Sequence, residues 1–252
     1  MGSESARKRY WARSFAGWKI FNSSKPNGAH FALARLEQNG HIGHLITQNV
    51  DRLHQRAGSS NVTEIHGTTH EVICMSCGHK TTRGDFQERL ASANDFLRDF
   101  DSDGFGGVPY GGGSEEKDPG AVRPDGDVDI VAEWEQDLSV PSCSHCGTGL
   151  IKPDVVFFGD NVKPAVAQTA MGAVEAADAV LVVGSSLQVF SAFRLVKRAH
   201  EGGKRIGLLT VGDTRADDLA DFKIEVRAGE ALAMALLHDQ GSLDLPATAS
   251  LL

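Results

Sequence analysis

The chain has 252 residues, enough to bury a substantial core as one large domain or as one domain with a smaller module. Its net charge of −8 argues against broad electrostatic attachment to nucleic acid or to anionic lipid. No apolar run approaches the length of a membrane span, and the first ten residues contain no amphipathic stretch typical of a transit peptide. We therefore expect a globular protein that recognises its partners through a shaped site, without membrane or direct nucleic-acid contact.

The first quarter of the chain predicts one helix and two strands. Residues 29–38 mix apolar with charged side chains and predict a helix that ends at Gly40. Residues 42–47 and 62–65 are short apolar runs that end in polar residues, as expected of buried parallel strands whose carboxyl ends open onto a site. The polar residues that follow these two runs are Gln48, Asn49, Asp51 and His66.

Beyond residue 85 the sequence alternates between helical and strand patterns. Helices are expected at residues 86–97, 165–177 and 191–200, and apolar strands at residues 155–158, 179–183 and 205–210. This alternation predicts a parallel sheet covered on both faces by helices, with ligand sites at the carboxyl ends of the strands. Residues 101–126, rich in Gly, Asp, Pro and Ser, are expected to form a mobile surface insertion, and a loose tail is expected from residue 241.

All four cysteines of the chain occur in two Cys-x-x-Cys pairs, Cys74 with Cys77 and Cys143 with Cys146. A glycine follows each pair, which suits a zinc knuckle, and two knuckles can close one tetrahedral sulfur site. A disulfide framework would require an oxidising compartment and usually a small secreted chain, and a redox Cys-x-x-Cys would need only one pair. We therefore predict one zinc ion on four thiolates. Because that set leaves no position for water, the zinc is expected to be structural.

The block that contains both cysteine pairs, about residues 67–150, interrupts the predicted α/β sheet. We predict a Rossmann-like nucleotide-binding domain formed by residues 1–66 and 151–240. Residues 67–150 are predicted to be a small zinc-binding module inserted into that domain. Residues 241–252 form the tail.

Each polar motif at a strand end allows a structural as well as a functional interpretation. Gln48, Asn49 and Asp51 can reach a nucleotide from the end of a buried strand, or they can form an Asx turn that caps the next helix. Histidine suits proton abstraction at neutral pH, but a lone histidine at a strand end, as His66 is, more often has a structural role.

Two further motifs are equally open. The small residues and hydroxyls of Gly184-Ser185-Ser186 can hold phosphate or ribose oxygens, or they can form a plain strand-to-helix turn. Residues 152–160 combine an extended apolar run with a glycine, which predicts either a buried strand or an open edge that pairs with an extended peptide.

The order of these motifs resembles that of the sirtuins, which are NAD-dependent protein lysine deacylases. The motifs that carry the resemblance, over about residues 9–232, are TQNVDRLH, EIHG, two Cys-x-x-Cys-Gly pairs, KPDVVFFGD, VVGSSLQV and GDTRADDLA. The segments RYWAR, PDGDV and VVFFGD look most like the class II branch, which includes a mitochondrial animal sirtuin. The resemblance implies a location in the mitochondrial matrix, or in the cytoplasm if the chain is bacterial.

The resemblance also implies a role for each motif. His66 resembles the general base of the family, with Asn49 beside it at the nicotinamide-side ribose. NAD contacts are implied for Gln48, Asn49, Asp51, Gly184, Ser185, Ser186, Thr210 and Ala228. The last two belong to the adenosine end, where the family usually has asparagine and this branch has cysteine. Substrate contacts with the peptide backbone and the acyl-lysine are implied for Val156, Phe158 and Gly159.

The implied reaction uses NAD as a co-substrate and an acylated lysine in a protein or peptide as the partner. The acyl oxygen attacks the anomeric carbon of the nicotinamide ribose, nicotinamide leaves, and His66 deprotonates a ribose hydroxyl that then attacks the imidate carbon. Water completes the release of lysine and O-acyl-ADP-ribose. The alternatives are a protein mono-ADP-ribosyltransferase of the same family, a truncated non-catalytic zinc-stabilised interaction protein, and a zinc-ribbon nucleic-acid binder, which the acidic charge disfavours.

The sirtuin pattern begins with a strand and a Gly-Ala-Gly-Ile-Ser type loop, followed by a Pro-Asp-Tyr-Arg type segment, and neither occurs in this sequence. We therefore expect a chain that lacks the first strand and the phosphate loop of the family fold, through a gene model begun too late or through splicing. On this expectation, the chain binds NAD weakly or not at all.

Overall fold

The computed structural model describes residues 2–98 and 132–239, and the chain divides into two compact units. The first, here called the cysteine unit, contains Met1–Ser24 and Gly67–Val155. The second, the parallel-sheet unit, contains Lys25–His66 and Val156–Leu252. The insertion predicted at residues 101–126 and the tail predicted from residue 241 lie outside the described residues. No helix in the described part of the chain is long and apolar enough to cross a membrane.

Nine α-helices and eight strands make up the described residues. The helices are α1 (Glu4–Ser23), α2 (Gly28–Gln38), α3 (Leu53–Arg56), α4 (Arg83–Ala93), α5 (Asp95–Arg98), α6 (Ala132–Asp137), α7 (Pro164–Ala176), α8 (Phe190–Glu201) and α9 (Ala228–Asp239), with a short 3-10 helix at Asp217–Leu219. The strands are β1 (Leu45–Thr47), β2 (Val62–Glu64), β3 (Gly67–Cys74), β4 (Lys80–Thr82), β5 (Ile151–Val155), β6 (Ala179–Val183), β7 (Arg205–Leu209) and β8 (Phe222–Ile224).

Several helices begin at side chains that satisfy free backbone N–H groups. Ser3 accepts a hydrogen bond from the backbone of α1, and Thr82 accepts one from the backbone of α4. Asn27 begins α2 with a capping box, in which the His30 side chain bonds back to the Asn27 backbone. A cap of this kind stabilises a helix by about 1 kcal/mol, so these starts are fixed by local sequence.

The cysteine unit is built on an antiparallel sheet of order β4-β3-β5. Trp11 and Phe15 of α1 pack with Phe86 and Val72 in its core. Trp11 is fully buried, and its Nε1 donates to the carbonyl oxygen of Ile151 at 3.2 Å. Because α1 buries its apolar side chains here, Met1–Ser24 belongs to the cysteine unit, whereas the sequence placed residues 1–66 in the nucleotide-binding domain.

Strand β5 differs from the strand that the sequence predicted at residues 155–158. It covers Ile151–Val155 and pairs antiparallel with β3, so that Ile151 is opposite Cys74 and Val155 is opposite Gly67. Gly67 has a φ of +78°, and a Cβ there would lie 2.0 Å from the Asp154 carbonyl oxygen. The two backbones therefore approach closely only because residue 67 is glycine.

The parallel-sheet unit contains two parallel ladders. Strands β1 and β2 form one, and β6, β7 and β8 form the other in that order; within the described ranges no ladder joins β1 to β6. Helix α8 packs on the β6–β7 ladder through Leu195, which joins Val182 and Leu208 in one buried cluster. The α/β class with parallel strands is therefore confirmed. The predicted coverage of both faces is incomplete, because Leu181, which projects to the opposite face from Val182, remains 48% exposed.

Candidate active site and metal centre

The carboxyl ends of β1, β2 and β6 bring three of the predicted site residues together in the parallel-sheet unit. Gln48 follows β1, and its side-chain Nε2 donates to the Ser185 Oγ at 2.9 Å, just beyond β6. His66 follows β2, and its Nδ1 lies 3.2 Å from the Gln48 carbonyl oxygen. Gln48 and Ser185 both follow the carboxyl end of a parallel strand, and their side chains meet although they are 137 positions apart in the sequence.

The His66 ring is held on both of its nitrogens. Nδ1 faces the Gln48 carbonyl, and Nε2 lies 2.8 Å from the Oγ of Ser191 in α8. Burial lowers the pKa of His66, and the bond to the Gln48 carbonyl acts in the opposite direction but is weaker. The ring is therefore neutral at pH 7, the form in which an imidazole can accept a proton.

The loop after β6 is sharply turned. Gly184 has a φ of +61° and Leu187, a buried non-glycine residue, has a φ of 56°. The Ser185 hydroxyl accepts a hydrogen bond from Leu187 N at 3.1 Å, which supports the turn. A left-handed conformation at a buried leucine is strained and is found mostly at functional sites.

Asn49 and Asp51 form local turns. The Asn49 N–H donates to the Thr47 hydroxyl at 3.1 Å, and Asp51 Oδ1 accepts from Leu53 N at 3.0 Å at the start of α3. Asp51 thus forms an Asx turn ahead of α3, the local role that the sequence analysis offered as the alternative to nucleotide contact, while Arg52 is the N-cap residue of that helix. The side chain of Asn49 is exposed. Arg52, between Asp51 and α3, adopts a left-handed φ of 56°.

The predicted substrate residues begin directly beside His66. Val156 N donates to the His66 carbonyl oxygen at 2.9 Å, which ties the two segments together. Phe158 has a relative exposure of 103%, and Gly159 has a φ of +92°. A fully exposed phenylalanine on an irregular segment lacks the internal packing that would explain it as a core residue.

The remaining predicted NAD residues lie further along the same unit. Thr210 follows β7, the neighbour of β6, and is buried, with its N–H bonded to the Ile224 carbonyl at 3.1 Å. Ser186 is exposed, and its carbonyl accepts from Arg215 N at 2.9 Å. Ala228 begins α9 and packs beside Leu209.

Ser191 is the site residue that the sequence analysis missed. It was placed at the start of a helix, and no role was assigned to it. The only local signal is a hydroxyl residue in the first helical turn after a strand-end motif, and that pattern is common in ordinary helix starts.

The four cysteines form one cluster in the cysteine unit. Their Sγ atoms all lie within 4.8 Å of one another, and the pairs Cys74–Cys146 and Cys77–Cys143 are each 3.8 Å apart. A regular tetrahedron with Zn–S bonds of about 2.3 Å has an edge of about 3.8 Å. The four thiolates therefore fit a zinc ion that they surround completely.

Backbone N–H groups point at the sulfur atoms, as metal-bound thiolates require. His145 N lies 3.3 Å from Cys143 Sγ, and Gly149 N lies 3.3 Å from Cys146 Sγ. The N–H of Cys77 lowers the pKa of the Cys74 thiol, and the N–H groups of Thr148 and Gly149 lower that of Cys146, whereas burial and the neighbouring thiols raise the pKa of Cys77. The N–H contacts at Cys74 and Cys146 favour the deprotonated sulfur that zinc binds.

The Sir2 family model matches residues 2–191. The chain belongs to the Sir2 family. It is 46% identical to the NAD-dependent protein deacylase SRT2 of Arabidopsis thaliana over 97% of this chain and 64% of that protein. It is 45% identical to the mitochondrial NAD-dependent protein lipoamidase sirtuin-4 of Bos taurus, over 92% of this chain and 68% of that one. The chain thus spans about two thirds of the length of these two sirtuins.

Solved sirtuin structures resemble the fold as well. A Sir2 protein with a p53 peptide and NAD+ is 31% identical, with a TM-score of 0.64 over 88% of this chain and 73% of that one. A Sir2 protein bound to an acetylated peptide is 29% identical, with a TM-score of 0.65 over 89% of this chain and 74% of that one. The family and the Rossmann-like class predicted from sequence are confirmed, and the names of the sirtuin relatives agree with NAD as cofactor.

Proposed function

We propose that this sirtuin is an NAD-dependent protein lysine deacylase that releases nicotinamide and passes the acyl group to ADP-ribose. The observation that carries the proposal is the His66 ring, which is neutral and is held by Gln48 within a cluster that includes Ser185. A base beside the strand ends of a parallel sheet is the arrangement this chemistry needs. The named relatives are deacylases, deacetylases and a lipoamidase, all NAD-dependent.

In this proposal, His66 takes a proton from a hydroxyl of the nicotinamide-side ribose. Its pKa, lowered by burial, keeps the accepting nitrogen free of a proton at neutral pH. Bound NAD would supply an anomeric carbon that bonds to the acyl oxygen as nicotinamide departs. Asn49, exposed next to the Gln48 backbone, is assigned to the same ribose, and Asp51 to the nicotinamide end.

The loop after β6 is assigned to NAD phosphate and ribose oxygens. Apart from Gly184 and its two chain neighbours, no described residue has an atom within 4 Å of the position that a Cβ on Gly184 would take, so the backbone there is open to close approach. Ser185 and Ser186 add hydroxyl groups, and the Gln48 amide adjoins Ser185. Thr210 and Ala228 are assigned to the adenosine end on the family pattern.

The acylated peptide is assigned to the segment that begins at Val156. Its backbone is tied to His66, which would bring an acyl-lysine on this segment near the base. The exposed ring of Phe158 and the turn at Gly159 offer an apolar and a flexible surface to the acyl-lysine chain. The four-thiolate centre would hold zinc as a structural ion, without a direct part in the reaction.

The test is to incubate the purified chain with NAD and peptides that carry a panel of acyl-lysines. Mass spectrometry should detect nicotinamide, free lysine and O-acyl-ADP-ribose in equal amounts. His66→Ala should lower the rate at least about 100-fold, because a general base contributes that much or more. His238→Ala, which removes an exposed imidazole at the end of α9, is the matched control.

Two other outcomes would overturn the assignment. ADP-ribose label on a protein side chain, with no O-acyl-ADP-ribose, would make the chain a mono-ADP-ribosyltransferase. Absence of both products, with no NAD binding by calorimetry, would favour a zinc-stabilised interaction protein. The mitochondrial assignment, supported by the likeness to mitochondrial sirtuin-4, is tested by locating the tagged native protein in cells.

A further inference from the structure

Ser191 lies in the first turn of α8. Its hydroxyl contacts Nε2 of His66, the ring nitrogen that would accept a proton from the substrate. The Oγ is 2.8 Å from His66 Nε2, and the two residues are 125 positions apart in the sequence. On the other side of the ring, Nδ1 faces the Gln48 carbonyl oxygen at 3.2 Å. A carbonyl oxygen can only accept, so Nδ1 must carry the ring proton. In the neutral ring Nε2 is then a bare acceptor, and the Ser191 O–H is the donor.

We propose that Ser191 is a positioning residue for His66: its hydroxyl holds Nε2 in place, while the Gln48 carbonyl keeps the ring proton on Nδ1. The proposal deepens the proposed function, on which its catalytic consequence rests. The tautomer itself is a property of the free protein and is measurable without any turnover.

Two tethers on opposite ring nitrogens fix the imidazole in both orientation and proton position. Gln48 alone would hold one edge and leave the ring free to swing about the Nδ1–O axis. The Ser191 hydroxyl removes that freedom, because it is carried by a helix of twelve residues. When a sugar hydroxyl binds, it takes the Nε2 bond over from Ser191, and the ring already points in the direction of transfer.

The Ser191 hydroxyl can donate to the unprotonated Nε2 or accept from Nε2–H of the imidazolium, so it orients the ring in both charge states. No salt bridge to His66 occurs within residues 2–98 and 132–239, and the groups bonded to the ring, from the ends of β1 and α8, are uncharged. Burial is therefore the main cause of the lowered pKa of His66, and the Gln48 carbonyl acts in the opposite direction.

The decisive experiment is an NMR titration of the full chain with ¹⁵N-labelled histidine. In the wild type, the His66 nitrogen shifts should report a proton on Nδ1 and an unprotonated Nε2. Ser191→Ala should shift the resonance of the unprotonated Nε2, because that nitrogen loses its hydrogen-bond donor, while the ring proton stays on Nδ1. Ser191→Thr, which keeps the hydroxyl, should restore the wild-type value. Thr169→Ala, which removes an exposed hydroxyl bonded within α7, should change nothing at His66.

Each outcome decides for or against the proposal. A proton on Nε2 in the wild type would overturn it, even if Ser191→Ala fails to fold. An unchanged Nε2 shift in a folded Ser191→Ala variant, or an equal change in Ser191→Thr, would overturn it too. For deacylation, Ser191→Ala should lower kcat/KM about tenfold or more without moving the acidic limb of its pH profile, because the base is less well oriented. A chain without deacylase activity would contradict the proposed function but leave the tautomer result standing.

Discussion

Gly149 lies so close to the Cys74 thiol that a Cβ at that position would be 2.2 Å from the Cys74 Sγ and 2.9 Å from the Cys146 Sγ. Neither distance is tolerable for a carbon next to sulfur, and the two sulfur atoms belong to different knuckles. The absence of a side chain at residue 149 is therefore a requirement of the metal centre, since any Cβ would push the two thiolates apart.

Gly149→Ala is expected to weaken zinc binding at least tenfold and to destabilise the cysteine unit, because metal binding and folding are coupled in such sites. Metal content by mass spectrometry and a competition titration with a chromogenic chelator measure the first effect. Gly84→Ala is the matched control in the same unit, since its Cβ would have only an ordinary contact at 3.7 Å. A Gly149→Ala protein that keeps one tightly bound zinc would contradict the prediction.

Arg83 is buried, with 1% exposure, between two tryptophan rings. Its guanidinium carbon is 5.2 Å from the centre of Trp11 and 4.9 Å from that of Trp18, and its Nη2 donates to the Ser14 carbonyl oxygen at 3.1 Å. Burial lowers the pKa of Arg83 to about 10, which still leaves it charged at neutral pH. The residue fastens α1 to α4.

Arg83→Met should destabilise the cysteine unit by about 3 kcal/mol, through lost cation–π contact with the two tryptophan rings and lost hydrogen bonds to Ser14. All three tryptophans belong to this unit, so urea unfolding followed by their fluorescence reports on it selectively. Arg9→Met, at an exposed position of the same helix α1, should change the free energy of unfolding by less than about 0.5 kcal/mol. Equal effects of the two substitutions would show that the packing of Arg83 between the Trp11 and Trp18 rings does not contribute to the stability of the cysteine unit.

The sequence predicts best those elements that local signals determine. Strand β6 occupies residues 179–183 as predicted, because five consecutive apolar residues end at a glycine. Helix α2 begins one residue before the prediction, at a capping box that the sequence itself encodes. The cysteine spacing predicted a four-sulfur cluster, and the structure brings all four Sγ atoms together.

What the sequence does not reveal depends on contacts between distant segments. Helix α1 was missed because its buried side chains, such as Trp11 and Phe15, are interspersed with charged residues in a weakly amphipathic stretch. Strand β5 was placed too late, because its antiparallel partner β3 lies about eighty residues earlier and fixes the register. The contact between Ser191 and His66 has no distinctive local signal, since it joins the end of β2 to the first turn of α8, 125 positions later.

The lowered pKa of His66 predicts the pH dependence of deacylation. Burial is the main cause, so the ring protonates only below the ordinary imidazole pKa of 6.5. Since the unprotonated ring is the base in the proposed deacylation, kcat/KM should be level above pH 6.5 and fall tenfold per unit only at lower pH. Initial rates with saturating NAD in constant-ionic-strength buffers test this. An acidic limb centred above pH 6.5 would contradict the burial of the base.

Glu37 at the end of α2 predicts a second pH effect, this time on stability. Its Oε1 accepts from Ser60 N at 2.9 Å, from Ser60 Oγ at 2.8 Å and from Asn61 N at 2.8 Å. Burial works to raise the pKa of Glu37, but the N–H groups of Asn61 and Ser60 outweigh it and lower the pKa below 4.5. The stabilisation is therefore present above pH 4.5 and is lost as the pH falls through the lower, folded-state pKa.

Glu37→Gln keeps an acceptor but removes its charge, so it should destabilise the β1–β2 region by about 1 kcal/mol at pH 7. Near pH 3 the variant and the wild type should converge, because the wild-type carboxyl is then losing its charge as well. Amide hydrogen exchange in β1 and β2, corrected for the intrinsic rate at each pH, measures the difference. Glu88→Gln, at an exposed position of α4, should leave that exchange unchanged at both pH values. If exchange in β1 and β2 is faster in Glu37→Gln than in the wild type by the same factor at pH 3 as at pH 7, a lost hydrogen bond, and not the lost charge, accounts for the destabilisation.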